Sequence, residues 1–138
     1  MTERLDLWAS RNETWRATID LPYTGGALPL TGASISLQWR LYEGAAGSPL
    51  VSLVGVAFED VLANAEDQAS GIPDGVRILR LFPLINQSVL EALPTGRNQP
   101  EPGDADRYVW DAIITYSDGV TDRPVQGFVY LGKGTVRA

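Results

Sequence analysis

Arg107-Tyr108-Val109-Trp110-Asp111-Ala112-Ile113-Ile114-Thr115-Tyr116, closed by Ser117-Asp118-Gly119, is the stretch that decides the fold. Tyr108, Trp110, Ala112, Ile114 and Tyr116 fall on alternate positions, the period of an extended strand with one face turned to a core. Three aromatic rings in that set give the face a large apolar payload, which suits a central strand. Asp-Gly is a strong hairpin signal, so the chain returns in a partner strand over 123–131, and a last short segment at 134–137 extends the sheet. Asp111 is the one charged residue inside the most apolar strand. A covered carboxylate needs a donor, either Arg107, four positions earlier on the same face, or an arginine from a neighbouring strand.

Working outward, the same period recurs. Trp15, Ala17, Ile19 and Leu21 alternate with Thr14, Arg16, Thr18 and Asp20, and Ile35, Leu37, Trp39 and Leu41 alternate with Ser34, Ser36, Gln38 and Arg40. Between them Pro22-Tyr23-Thr24-Gly25-Gly26 supplies turn chemistry. A third strand is expected over 51–58, with both alternating sets apolar, and another over 76–82 after the Gly71-Ile72-Pro73-Asp74-Gly75 turn. The intervening 59–75 is mixed. From 84 to 93 the apolar spacing becomes helical, with Pro83 placed as a first-turn proline. Residues 94–106 then form a long polar, proline-rich loop.

The 138 residues include no cysteine and no histidine, and 11 basic against 17 acidic side chains give a net charge of −6. That inventory excludes disulfides, thiolate metal sites, histidine-based triads and the side chain most used for proton transfer near neutral pH. Ten of the eleven bases are arginines scattered without a cluster, which argues against nucleic acid as a partner. No apolar run is long enough to span a bilayer as a helix, and the charged start Met1-Thr2-Glu3-Arg4-Leu5-Asp6 lacks a secretory pattern. The expectation is a single domain over 1–138, made in a cytoplasm, with an N-terminal arm at 1–10.

About seven strands and one short helix make an all-β, immunoglobulin-like β-sandwich, with a small barrel as the alternative. Tyr108 then sits where such sandwiches carry a corner tyrosine. Four motifs resemble a group of small immunoglobulin-like bacteriophage virion domains associated with tails, baseplates and fibres. They are Arg11-Asn12-Glu13-Thr14-Trp15-Arg16; Leu30-Thr31-Gly32-Ala33 leading into Ser34-Ile35-Ser36-Leu37-Gln38-Trp39-Arg40; Tyr108-Val109-Trp110-Asp111; and Ser117-Asp118-Gly119 followed by Gln126-Gly127-Phe128-Val129-Tyr130. The 94–106 loop departs from that pattern by its length. The resemblance implies an assembly role in a virion, with other virion proteins as partners and self-association compatible with it, and it names no catalytic residue, cofactor or metal.

Individual residues divide accordingly. Trp15, Trp39 and Trp110 read as core. Trp8 shares a face with Asp6, opposite Leu5, Leu7 and Ala9, so it is a candidate partner contact, with Tyr23 and Tyr42 as further interface candidates. Glu101, Asp104 and Asp106 lack the spacing of a calcium loop and read as a solvated segment. No pair among the acids is singled out for glycoside hydrolysis, and the glycines mark turns rather than a phosphate cradle. The expected function is a non-enzymatic subunit joining tail, baseplate or fibre components. A head decoration or head-fibre protein is the alternative location. A carbohydrate-binding module stacking sugars on Trp8 or Tyr42 is the alternative of another class, ahead of a carboxylate-based hydrolase.

Overall fold

The computed structural model describes residues 3–44, 46–94, 99 and 105–132. Strands take 49% of the chain and helices 8%, which places it in the all-β class. The strands are β1 (Glu3–Arg4), β2 (Leu7–Ser10), β3 (Trp15–Arg16), β4 (Ile19–Tyr23), β5 (Ser34–Arg40), β6 (Val51–Leu53), β7 (Ala57–Leu62), β8 (Arg77–Phe82), β9 (Leu84–Ile85), β10 (Asp106–Thr115) and β11 (Thr121–Gly132). The helices are α1 (Ala65–Ala69) and α2 (Gln87–Glu91).

The larger sheet runs β1-β11-β10-β5-β6, with β2 also on β11; the smaller runs β4-β8-β7, and β3 pairs with β9. The two sheets form a sandwich around one core. Ile19, Leu21, Leu79 and Leu81 of the smaller sheet pack with Ile35, Leu37, Trp39, Trp110, Ile114 and Val129 of the larger. The decisive stretch behaves as its alternation requires: in β10 every second residue from Asp106 to Ile114 is buried, and β11 alternates likewise from Val125 to Leu131. Trp15 meets Trp39 edge-on at 5.7 Å, and Trp39 stacks on Tyr108 at 6.1 Å.

Among the described residues eleven strand segments appear where about seven were expected, and the excess has physical causes. The 14–21 strand is two: β3 pairs with β9, β4 with β8, and the break falls at Ala17-Thr18. Tyr23 consequently ends β4 rather than lying in the turn. The 51–58 strand is also two, because Gly55, at φ +69, turns the chain from the larger sheet to the smaller one. Both alternating sets are apolar there since the segment serves two sheets.

The 84–93 helix shrinks to α2, preceded by β9; Pro83 sits before that strand, outside the helix, and its carbonyl accepts from the Ala17 amide. Residues 59–75 hold α1, which sequence reading missed. Asn64 caps it reciprocally with Asp67, whose other carboxylate oxygen accepts from Arg80 at 3.0 Å. Arg80 lies between the core residues Leu79 and Leu81, so it points outward. There it also holds Asp20 of β4 at 2.7 Å and Glu59 of β7 at 3.0 Å, tying three elements together.

The N-terminal arm is not free. Residues 3–4 and 7–10 pair in parallel with β11, so they cover an edge of their own sheet. Between them the ladder is interrupted: the Leu5 carbonyl turns to accept the Trp110 indole N–H at 2.9 Å, and Asp6 Oδ1 accepts the Phe128 amide at 3.0 Å. Gly127, the ladder partner of Trp110, makes this possible, since its missing side chain is the space the Leu5 carbonyl occupies. The Trp15 indole holds the same segment further on, donating to the Trp8 carbonyl at 3.1 Å.

One end of the sandwich is closed by Arg11. Its buried guanidinium donates to the carbonyls of Leu90, Leu93 and Pro94, to Asp106 Oδ2 at 2.8 Å and to the Tyr108 hydroxyl. The Tyr108 hydroxyl itself donates to the Pro94 carbonyl, fixing the entry into β10. Asp106, expected in a solvated loop, is therefore a buried ion-pair partner. Glu101, Asp104, most of the 94–106 loop and the 134–137 segment lie outside the described residues.

Burial raises the phenol pKa values of Tyr23, Tyr108 and Tyr116 above their ordinary 10.0, with the Asp60 carboxylate adding to the effect at Tyr23. A group that holds its proton more tightly when folded stabilises the fold fully below its unfolded pKa. The contribution then falls as pH rises through the folded value. Stability is therefore expected to decline above about pH 10, with Tyr108→Phe flattening the slope. Denaturant midpoints measured against pH check this; a midpoint insensitive to alkali would contradict it.

Candidate functional site

The outer face of the larger sheet is best described as a grid whose columns are β5, β10, β11 and the N-terminal strands. Ladder pairing sets the rows. Arg107, Tyr130 and Trp8 stand side by side; the next row holds Arg40, Val109 and Phe128; the next holds Gln38, Asp111, Gln126 and Arg4. These residues face out because their neighbours in each strand, such as Trp39, Tyr108, Trp110 and Val129, are committed to the core.

Three aromatic rings meet on this face. Trp8, 69% exposed, stacks on Tyr130 at 5.5 Å, and Tyr130 meets Phe128 edge-on at 6.4 Å. The Arg4 and Arg107 guanidinium carbons lie 4.5 and 4.6 Å from the centre of the Phe128 ring. Beside the rings lies an open depression of about 540 Å³, with Arg4, Gln38, Arg40, Glu43, Asp111 and Phe128 in its lining. Asp111 is neutralised by Arg123 of β11 at 3.0 Å, the neighbouring-strand donor, while Arg107 turns to Phe128 instead.

The sequence-based candidates separate. Trp8 belongs to the cluster. Tyr42, 56% exposed, lies beyond the end of β5 and outside the grid. Tyr23 is elsewhere, its hydroxyl donating to Asp60 Oδ1 at 2.6 Å and accepting from Arg77. Phe128, Tyr130, Arg4 and Arg107 were missed as surface residues. Their signal was present: Gln126, Phe128 and Tyr130 form one alternating set of β11, and Val125, Gly127, Val129 and Leu131, the buried set, form the other.

Chemically, this face offers stacking surfaces, fixed guanidinium groups and side-chain amides, the composition of energetic centres in protein interfaces. Among the described residues no three of His, Cys, Asp and Glu stand close enough together to hold a metal ion, and no helix is long and apolar enough to cross a membrane. No protein-family model matches the chain, and no curated protein matches it significantly.

Proposed function

We propose that this protein is a non-enzymatic structural subunit of a bacteriophage or phage-like particle, an immunoglobulin-like sandwich joining virion proteins as a tail, baseplate or fibre-attachment component. The observation that carries the docking part is the exposed Trp8 stacked on half-buried Tyr130 and Phe128, with Arg4 and Arg107 over the Phe128 ring. The exposed Trp8 ring and the open sides of Tyr130 and Phe128 leave apolar area in water, and burial against a partner recovers it. The connectivity supports the immunoglobulin type: β4-β8-β7 faces β11-β10-β5-β6, a parallel N-terminal strand lies on β11, and a corner tyrosine begins β10. The four sequence motifs support the virion setting.

The arrangement works by geometry. A rigid sheet holds the rings in place before contact, so little side-chain freedom is lost on docking. Co-expression with the proteins encoded beside it, followed by native mass spectrometry, is expected to give a complex. Trp8→Ser combined with Tyr130→Ser is expected to weaken that complex by about tenfold or more while leaving the melting temperature nearly unchanged. A wild-type protein that binds none of those neighbours overturns the proposal. Glycan-array binding that depends on Trp8 would replace it with a carbohydrate-binding role.

A further inference from the structure

The Arg4–Phe128–Arg107 arrangement says more about the partner, and the inference rests on the docking reading above. One phenyl ring holds two guanidinium groups, each within 4.6 Å of its centre, so the two cations lie within about 9 Å of each other. Arg4 has Asp6 as its nearest carboxylate, at 3.8 Å, and Asp6 is already committed to the Phe128 amide. Arg107 makes no ion pair with any described carboxylate within 4.0 Å. The chain as a whole carries −6, yet it places like charges together here and secures both on a ring. By contrast, outward-facing Arg80 of the smaller sheet is surrounded by three carboxylates.

We infer that these two arginines form a seat for carboxylate side chains, and that the partner segment docking on this face is an acidic stretch of polypeptide. Each guanidinium, held in place by the Phe128 ring, can donate charge-assisted hydrogen bonds to a carboxylate of that segment. The stacked Trp8 and Tyr130 lie immediately beside the seat, in the row of Arg107, and take up the apolar parts of the same segment. Three features favour a polypeptide over other anions. The positive area is confined to a few residues of a strongly acidic chain, so a long polyanion such as nucleic acid is repelled by the rest of the surface. Phe128 already carries the two guanidinium groups, so its ring is no open platform for a sugar or base. Tryptophan, tyrosine and arginine together are the side chains that dominate protein–protein contacts.

The test titrates the full-length protein with a short synthetic peptide alternating glutamate and leucine, followed by NMR. Saturable shifts are expected at Phe128, Tyr130 and the Nε–H groups of Arg4 and Arg107. Affinity should drop about tenfold in Arg4→Gln/Arg107→Gln and fall with added salt. The same peptide with lysine in place of glutamate should leave the spectrum unchanged. An absence of glutamate-peptide binding overturns the inference, as does tighter binding of an oligothymidine or a sulfated polysaccharide at the same residues. The two readings fail separately. Complexes lost in Trp8→Ser/Tyr130→Ser but unaffected by Arg4→Gln/Arg107→Gln would sink the acidic partner and keep the docking face. Arginine-dependent peptide binding alongside complexes indifferent to Trp8 and Tyr130 would do the reverse.

Discussion

Gly127→Ala is expected to destabilise the protein by about 2–4 kcal/mol, a large effect for one added methyl group. A Cβ at this position would stand 1.9 Å from the Leu5 carbonyl oxygen and 2.7 Å from its carbon. Both are backbone atoms, so no side-chain rotation relieves the collision. The N-terminal segment must lift away from β11. It would then give up the Trp110 indole bond to Leu5, the Leu5 amide bond to Gln126 and the Phe128 amide bond to Asp6. Three hydrogen bonds at roughly 1 kcal/mol each account for most of the figure. Gly132→Ala is the control on the same strand, because its nearest obstacle is the Ala9 carbonyl oxygen at 3.9 Å. It should stay within about 0.5 kcal/mol of wild type. Denaturant unfolding compares the two, and amide exchange over residues 3–10 locates the loss. Equal stability of both variants would contradict the close approach of Leu5 to β11.

Arg11→Ala is expected to cost about 3–5 kcal/mol, because it takes the charged donor away from the buried Asp106 carboxylate and from three carbonyls at once. The Arg11 and Asp106 side chains are only 9% and 3% exposed, so water does not replace the lost donor cheaply. Arg11→Lys separates charge from shape. An ammonium group keeps the ion pair with Asp106 but lacks the planar fork that reaches Leu90, Leu93 and Pro94 together, so it should recover only part of the loss. If the alanine variant does not fold, the lysine variant still gives a measurable midpoint. A lysine variant as stable as wild type would show that charge alone closes this end of the sandwich.

The uneven legibility of the chain follows from what periodicity encodes. In 34–40 and 108–114 one sheet face is wet and one dry, and alternation reported the strand and its buried set; over 77–82 the strand was legible but not its faces, because Ile78 and Leu79 are adjacent and both buried. It failed where a segment changes partners within a few residues, at Ala17-Thr18 and at Gly55, because the pattern carries no record of which sheet is being served. Helix α1 was legible in principle, since Asn64 and Asp67 stand three apart as a capping pair, but five residues are too few to show an apolar stripe. Trp15, Trp39 and Trp110 were placed in the core and lie there. The docking cluster was half visible. Trp8 stood out against Leu5, Leu7 and Ala9, whereas Phe128 and Tyr130 belong to a strand whose buried face includes a glycine, so neither alternating set stands out as the apolar one. Their partnership with Arg4 spans nearly the length of the chain, and such pairings leave no local trace.

The pairing of the N-terminal strands with β11 also bears on how the molecule is assembled during synthesis. Asp6 and Phe128, bonded to one another in the finished fold, are 122 residues apart in the chain. The early segment leaves the ribosome long before its template exists, and the sheet border stays open until the final hairpin has emerged. Closing so wide a loop is entropically late, which makes the zipping of this border one of the last steps and a slow one. Until it closes, both the raw edge of β11 and the detached leading strand are available to a second nascent copy, so crowding of translating chains is the moment at which this protein is most exposed to strand exchange.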